Sequence, residues 1–195
     1  MNYPGWWLLA VVVLVLAGCK GGNAGPDDGG TDLGVSVPMA TYLARHDGRR
    51  CASPNCGGYF LQAVNQADTL CADGTRADEC YVAELDWAES DLSAADQQRA
   101  TGGSGGFLVD GVQTQRTYGP DTTLGVLRVS AAWVSEWGTP LTVPALDAAF
   151  HGLSDNGMLC VLDPCFNLPA AALNMDDSQL VSGLDLTAAG ASAPQ

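Results

Sequence analysis

The residues best suited to covalent chemistry are a serine in a glycine-rich loop and two histidines. Residues 102–106 fit the pattern Gly-x-Ser-x-Gly, which in α/β hydrolases follows a strand and precedes a helix. Here the loop follows a helical pattern and precedes a strand pattern, so we interpret it as a flexible glycine loop. His46 and His151 are too few for a three-histidine zinc site. We interpret His46 with Asp47 as an exposed polar turn.

Carboxylates are concentrated between residues 68 and 96, where nine stand against one arginine, Arg76. Residues 73–79 lack the alternating acidic spacing of a calcium loop, so we interpret this segment as a solvated acidic face. Glu84 and Asp86 alternate on a predicted strand and are the candidates for an envelope hydrolase. That function would require a deep cleft in which carboxylates converge. Carboxylates alternating on a strand are more often solvated.

The N-terminus resembles the export signal of bacterial lipoproteins. The apolar run 6–16 is shorter than the roughly 20 residues that cross a bilayer, but it suits the core of a signal peptide. Residues 16–19, Leu-Ala-Gly-Cys, match the lipobox, whose cysteine is lipidated after cleavage. We therefore predict a signal peptide over 1–18 and a lipid on Cys19. Because Lys20 rather than Asp follows, the resemblance implies anchoring in the outer membrane. A membrane-anchor helix or an ordinary cleaved signal is the alternative.

The chain has a formal net charge of minus 14. Nucleic-acid binding needs a basic surface, so nucleic acid is excluded as a partner and anionic partners in general are disfavoured. Residues 19–37 have little to bury and are predicted to be the lipid attachment and a flexible tether. A disordered tail is predicted over 187–195. The intervening residues, 38–186, suit one domain.

Six of the seven cysteines remain when Cys19 is lipidated, an even number in an oxidising compartment. Their spacings are not those of the two-residue knuckles in common zinc sites. We therefore expect disulfides, with a structural zinc site as the alternative, and we predict no cofactor and no metal. These cysteines are Cys51, Cys56, Cys71, Cys80, Cys160 and Cys165.

An internal repeat accompanies the cysteines. A shift of 109 positions superposes residues 47–69 on residues 156–178 with six identities, two of which are cysteines. The repeats extend over about 40–87 and 150–186, and the first holds an insertion. The second copy has only two cysteines, so local pairing is natural there, and analogy extends it to the first copy. Sequence does not prove this connectivity. The favoured pairs are Cys51 with Cys56, Cys71 with Cys80, and Cys160 with Cys165.

The same segments resemble an uncharacterised protein family. The resemblance is carried by residues 49–60, Arg-Arg-Cys-Ala-Ser-Pro-Asn-Cys-Gly-Gly-Tyr-Phe, and by residues 79–87, Glu-Cys-Tyr-Val-Ala-Glu-Leu-Asp-Trp. Residues 155–160 resemble its closing segment, so the likeness spans most of 40–186. The family, found in myxobacteria and their relatives, is domain of unknown function 6748. It implies no known activity, ligand or catalytic residue.

The pattern between the cysteine loops is mainly β. An apolar face alternates along residues 127–133, and residues 107–112 are the predicted hairpin partner of this strand across the turn at 118–121. Further strands are predicted over 81–87 and from about Phe150, where a short helix over 144–151 is the alternative.

One short helix is also predicted, beginning at a capping box at Ser93 and ending at Gly102. We predict a mainly β fold, a small barrel or sandwich built from two related halves with disulfide-stapled loops. A β-hairpin region would lie between the halves.

Two classes of function remain. The first is a non-catalytic, envelope-anchored lipoprotein whose domain binds a protein or glycan or supports the envelope. Exposed and clustered aromatic side chains, such as Tyr59 and Phe60, would favour this class. The second is the envelope hydrolase with the carboxylates Glu84 and Asp86. We favour the first class, because no catalytic constellation emerges from the sequence.

Overall fold

The computed structural model describes residues 37–102, 105–133, 149–159, 161 and 164–184. These residues form a β-rich domain, as predicted, with one short helix. Within these ranges no helix is long and apolar enough to cross a membrane. The elements are β1 Ala40–His46, β2 Tyr59–Ala63, β3 Thr69–Leu70, β4 Arg76–Ala77, β5 Cys80–Asp86, α1 Ala94–Thr101, β6 Phe107–Thr117, β7 Thr123–Trp133, β8 His151–Leu153, β9 Leu168–Ala172 and β10 Ser178–Val181.

Five strands close into a barrel in the order β1, β2, β5, β7, β6. Neighbouring strands are antiparallel except β5 and β7, which are parallel. Parallel strands need a long crossover, and α1 lies in it, between β5 and β6. This strand order, with a helix between the third and fourth barrel strands, is the topology of the OB-fold.

Alternating side chains of the barrel strands form the core. Closing the sheet removes its open edges and brings one face of every strand together. One polar side chain, Gln113 on β6, is also fully buried, and its Nε2 donates to the carbonyl oxygen of Leu70, 3.0 Å away. The main apolar members of the core are Tyr42, Ala44, Leu61, Ala63, Val82, Leu85, Phe107, Val109, Leu127 and Val129.

The predicted helix ends are confirmed. The hydroxyl of Ser93 accepts a hydrogen bond from the backbone N–H of Asp96 at 3.2 Å, and Gly102 is the C-cap residue. A cap of this kind satisfies one of the N–H groups that a helix leaves unpaired in its first turn. The single buried residue of α1, Ala100, packs into the barrel core.

The predicted hairpin is present, but a β-bulge changes which of its side chains face inward. Asp110 on β6 is paired with Ala131, whereas the next residue is paired with Val129, which leaves Ser130 as an extra residue on β7. An extra residue exchanges the two faces of a strand. Trp133, predicted on the apolar face, is therefore 48% exposed, and the adjacent Ala132 packs against the core.

A second bulge separates two residues of β5 that simple alternation would place together. The pairing with β7 passes from Val82 to Glu84 and omits Ala83. Val82 is consequently buried in the barrel, whereas Glu84 is directed to the surface.

The second sheet consists of β8, β9 and β10, and it repeats the pairing of the first copy. Tyr42, Leu43 and Ala44 are paired with Ala63, Gln62 and Leu61, and each pair falls on a β8–β9 pair when shifted by 109 positions. The same shift places β2 on β9. The two copies are nevertheless not used equally: the first lies in the barrel with the hairpin, and the second forms a separate sheet.

Two asparagines join the copies in a reciprocal arrangement. Asn65 Nδ2 donates to the carbonyl oxygens of Phe150 and Leu173 at 2.7 and 2.8 Å, and Asn65 Oδ1 accepts from the Phe150 N–H at 2.8 Å. Asn174 makes the three equivalent hydrogen bonds, to the N–H and carbonyl of Thr41 and the carbonyl of Val64, at 2.7 to 2.9 Å. Each asparagine side chain thus pairs with backbone groups at the end of the two paired strands in the other copy. We call this arrangement the asparagine pair.

Both asparagines adopt the left-handed backbone conformation, with φ of 58° and 59°. Most side chains are strained in this region, whereas asparagine and aspartate tolerate it. Only asparagine also offers one acceptor and two donors on a short side chain. The position therefore favours asparagine both for its backbone and for its side chain.

We expect Asn65→Asp or Asn174→Asp to destabilise the folded protein by about 2 kcal/mol or more at neutral pH. Aspartate keeps the shape and the acceptor, but it places a carboxylate oxygen against two carbonyl oxygens that now lose their donors. Denaturant unfolding of the disulfide-intact protein measures the effect. Gln66→Glu is the matched control, because the Gln66 amide makes a single exposed hydrogen bond, to the carbonyl of Asn174. Equal losses in all three variants would contradict the role of the asparagine pair.

Candidate functional site

A disulfide-stapled loop, residues 47–58, connects β1 to β2. Cys51 and Cys56 are bonded within it, with Cα atoms 5.5 Å apart. Cys71 and Cys80 are bonded beside it, with Cα atoms 5.4 Å apart. Both are the local pairs that the repeat favoured. Cys165 is also disulfide-bonded, whereas Cys160 lies outside the described residues.

Three side chains form a row across the outer face of β1, β2 and β5. Arg45 is paired with Phe60, and Phe60 with Tyr81, in the cross-strand register. Their neighbours Ala44, Leu61 and Cys80 are buried, so alternation directs the row outward. The Arg45 guanidinium lies 4.5 Å from the Phe60 ring centroid, and the two rings meet edge-on at 5.7 Å.

Arg49, from the loop, lies over the same two rings. Its guanidinium carbon is 5.0 Å from the centroid of Phe60 and 5.0 Å from that of Tyr81. Contacts of this kind combine cation–π attraction with packing of the planar guanidinium. We call Arg45, Arg49, Phe60 and Tyr81 the arginine–aromatic surface.

Two carboxylates hold the arginines in place. Asp47 accepts from Nε of Arg49 at 3.0 Å and from Nη2 at 2.9 Å, and Glu79 binds the Arg45 guanidinium through both oxygens. Asp47 also accepts from the backbone N–H groups of Arg49, at 2.9 Å, and Gly57, at 3.3 Å. These contacts fix each guanidinium before any ligand arrives.

Tyr81 ties the loop to the barrel. Its hydroxyl donates to the carbonyl oxygen of Pro54 at 2.6 Å and accepts from the N–H of Gly58 at 3.3 Å. A Cβ on Gly58 would overlap the carbonyl oxygens of Val82 and Ala83 on β5, so only glycine allows this close approach. The loop is therefore held by a disulfide, an aspartate and a tyrosine.

The hydrogen bonds from Arg49 lower the pKa of Asp47 to about 2, and the backbone donors act in the same direction. Similarly, the guanidinium of Arg45 lowers the pKa of Glu79. Asp47 is buried, contrary to the exposed polar turn predicted for it, because the Arg49 side chain covers it.

The surface is locally basic in an acidic chain. Three of the seven arginines lie at residues 45–50, and the Arg50 side chain is exposed without an ion pair to any described residue. Asp47 and Glu79 neutralise two of these arginines, which leaves the charge of Arg50.

The candidate hydrolase residues occupy a different place. Glu84 and Asp86 both form ion pairs with Arg116, and the latter pair is 3.6 Å long. Both carboxylates are partly exposed. Burial, together with the neighbouring carboxylate of Glu84, raises the pKa of Tyr118 to about 12, so this phenol is neutral at pH 7. Both carboxylates are therefore ion-pair partners of Arg116 at the surface.

The other candidate groups are separated. His46 packs against the ring of Tyr59, with centroids 5.0 Å apart, and His151 lies on β8 of the second sheet. Ser104, in the glycine loop, falls outside the described residues. The residues that the structure describes contain no group of three His, Cys, Asp or Glu side chains that could hold a metal ion.

A cavity of about 240 Å³ lies where the two copies meet. Tyr42 and Leu70 contribute to its wall, together with Gln66 and Asn174. Its one carboxylate, that of Asp68, is paired with Arg76, which also lines the cavity. The predicted hydrolase would need carboxylates that converge in a cleft, whereas this cavity is lined by one carboxylate, already paired with Arg76.

Sequence reasoning identified part of this surface. Phe60 lies on the outer face, as required of a binding residue, whereas Tyr59 packs partly against the core and meets Phe107 edge-on. The roles of Arg45 and Tyr81 were missed, although both are directed outward by the alternation of their strands. Asp47 was also missed. One feature of the sequence indicated this role: Asp47 stands two residues before Arg49, just ahead of the cysteine loop. An aspartate side chain commonly accepts a hydrogen bond from the backbone two residues later.

The fold and the surface define a class: a small β-barrel domain with a disulfide-stapled loop that presents arginine and aromatic side chains. The sequence profile described as domain of unknown function (DUF6748) matches residues 40–195, and the chain belongs to this family. The comparisons with curated proteins and with solved structures gave no match.

We expect Arg49→Ala to raise the pKa of Asp47 from about 2 towards its ordinary value of 3.8, because the strongest donor is lost. Since folding lowers this pKa, the contact stabilises the native state above pH 3.8, and this stabilisation is lost as the pH falls towards 2. Carboxyl-carbon NMR titration follows the shift.

Glu79 is the internal control in the same spectra, because Arg45 rather than Arg49 lowers its pKa. A variant in which both carboxylates move, or neither does, would contradict the assignment of Arg49 to Asp47.

Proposed function

We propose that the chain is a non-catalytic binding domain, anchored in the bacterial cell envelope by a lipid on Cys19. One observation carries the binding part of the proposal: the arginine–aromatic surface is exposed, yet its guanidinium groups are already oriented. Two arginines share one aromatic ring, and a carboxylate holds each of them. The Arg45–Glu79 pair is exposed, and a pair of this kind contributes only about 0–1 kcal/mol, so stability alone gives little reason to place it there.

The position on the barrel supports the same function. In the OB-fold, oligonucleotides and oligosaccharides bind on the face of the second and third strands and on neighbouring loops, among them the loop between the first and second strands. Those elements are β2, β5 and residues 47–58, which carry Phe60, Tyr81 and Arg49. Topology alone does not assign a ligand, since one fold serves many functions.

The anchoring part of the proposal rests on the sequence. Residues 16–19 form the lipobox pattern after an apolar segment, and the family match begins at residue 40, beyond the predicted tether. A domain held in this way needs no membrane-spanning element of its own.

Cys19→Ser is expected to abolish incorporation of labelled fatty acid and to leave an unprocessed precursor, because it removes the only acceptor thiol of the lipobox. Metabolic labelling followed by immunoprecipitation measures both effects. Cys165→Ser, which removes a disulfide-bonded cysteine outside the lipobox, serves as the control and should be labelled like the wild type. Equal labelling of the Cys19 variant would remove the anchoring proposal.

A photo-crosslinking residue in place of Ala52, an exposed residue of the stapled loop, should capture one discrete adduct in living cells, and Arg49→Ala should remove it. Immunoblotting of the envelope fraction measures the adduct. The same crosslinker at position 128 is the control, because Arg128 lies on β7 and is paired with Glu89. Identical adducts from both positions, or none from position 52, would contradict a binding role for this surface.

A further inference from the structure

We infer that the arginine–aromatic surface binds carboxylate groups of an acidic segment of a partner protein. This inference rests on the proposed binding function and adds the chemistry of the ligand. The overall charge of the chain disfavours anionic partners, whereas residues 45–50 carry three of its seven arginines.

The guanidinium groups retain free donors. Arg45 uses Nε and Nη2 for Glu79, and Arg49 uses Nε and Nη2 for Asp47 and for the carbonyl oxygen of Asn55. Within the described part of the chain, Nη1 of neither arginine has an acceptor, and the Arg50 side chain has none at all. The donors left on Nη1 of Arg45 and Arg49, and those of Arg50, suit carboxylates, because charge-assisted hydrogen bonds of this type are the strong ones.

The spacing of the donors suits a short acidic segment. Both guanidinium carbons lie within 5.0 Å of the Phe60 centroid, so they are at most about 10 Å apart. In an extended chain, side chains on one face are about 6.6 Å apart. Two acidic side chains at alternate positions can therefore engage Arg45 and Arg49 together, and Arg50 supplies the uncompensated positive charge.

The same geometry disfavours the other acidic polymers. Sugars bind aromatic side chains through the ring faces, and here the guanidinium groups of Arg45 and Arg49 lie over Phe60. Nucleic acids carry charge along their whole length and would meet the acidic remainder of the chain. A few carboxylates on a polypeptide need only the small basic patch.

Little ordering is needed when the ligand binds. The Cys51–Cys56 bond, the Asp47 contacts and the Tyr81 hydroxyl already fix the loop. Ordering of flexible side chains is a main cost of association, so fixed arginines retain more of the energy of each contact.

The test uses the full-length protein purified in detergent with its disulfides intact. The probe is a fluorescein-labelled peptide of alternating Glu and Gly, and fluorescence anisotropy measures its binding. The same peptide with Gln in place of Glu should not bind. Arg49→Ala should weaken binding of the Glu peptide about tenfold or more, because charge-assisted hydrogen bonds are lost. Arg128→Ala, the control at a distant ion pair, should change it less than about twofold.

Arg49→Lys separates charge from geometry, and circular dichroism verifies that each variant is folded. Lysine keeps the charge, but it lacks a planar guanidinium that can hold Asp47 and donate to a ligand at the same time, so binding should remain weakened. Equal binding of the Gln peptide, or equal effects of Arg49→Ala and Arg128→Ala, would overturn the inference. Binding of an oligogalacturonate in preference to the peptide would overturn the choice of a polypeptide.

The crosslinking result at position 52 separates the binding function from the chemistry of the ligand. An adduct that excess Glu peptide does not displace would overturn the inference and leave the binding function standing. Absence of any adduct would overturn the binding function itself.

Discussion

The asparagine pair is the constraint on which the arrangement of the two copies depends. Thr41 and Phe150 stand at equivalent places in the two copies, and the N–H and carbonyl of each are satisfied by an asparagine from the other copy. Separation of the two copies would remove these hydrogen bonds at once, so the contact favours the arrangement in which the copies meet. The reciprocity is that of an isologous contact, in which the same patch is used on both sides. Here one chain supplies both sides.

This contact fixes the strand from which the binding surface begins. Asn174 holds Thr41 near the start of β1, while β2 and β6 pair with β1 on either side. The register of β1 then places Arg45 beside Phe60. In the second copy, Asn156 replaces Asp47 and still accepts a hydrogen bond from the backbone two residues later, but Met158 replaces Arg49. The shared frame is therefore structural, and the charged surface belongs to the first copy alone.

Local chemistry explains which features could be predicted from the sequence. The cap at Ser93 and the hairpin are specified by residues close in the chain. The repeat at a shift of 109 positions is specified by residues identical between its two copies. The closed barrel was less accessible, because it depends on the pairing of β1 with β6 and of β5 with β7, which only the complete fold brings together. Trp133 illustrates the limit of periodicity: one extra residue, Ser130, reverses the face on which it lies. The candidate surface required the same long-range register, since its four side chains come from three strands and a loop.

The acidic background makes a small basic surface selective. Six of the seven arginines form ion pairs with carboxylates, and Arg50 stands apart from them. The four paired arginines outside the surface are Arg76, Arg99, Arg116 and Arg128. Elsewhere the excess of carboxylates repels an acidic partner, so attraction is confined to residues 45–50. Specificity is a difference between affinities, and repulsion over the rest of the surface increases this difference as effectively as a further contact would.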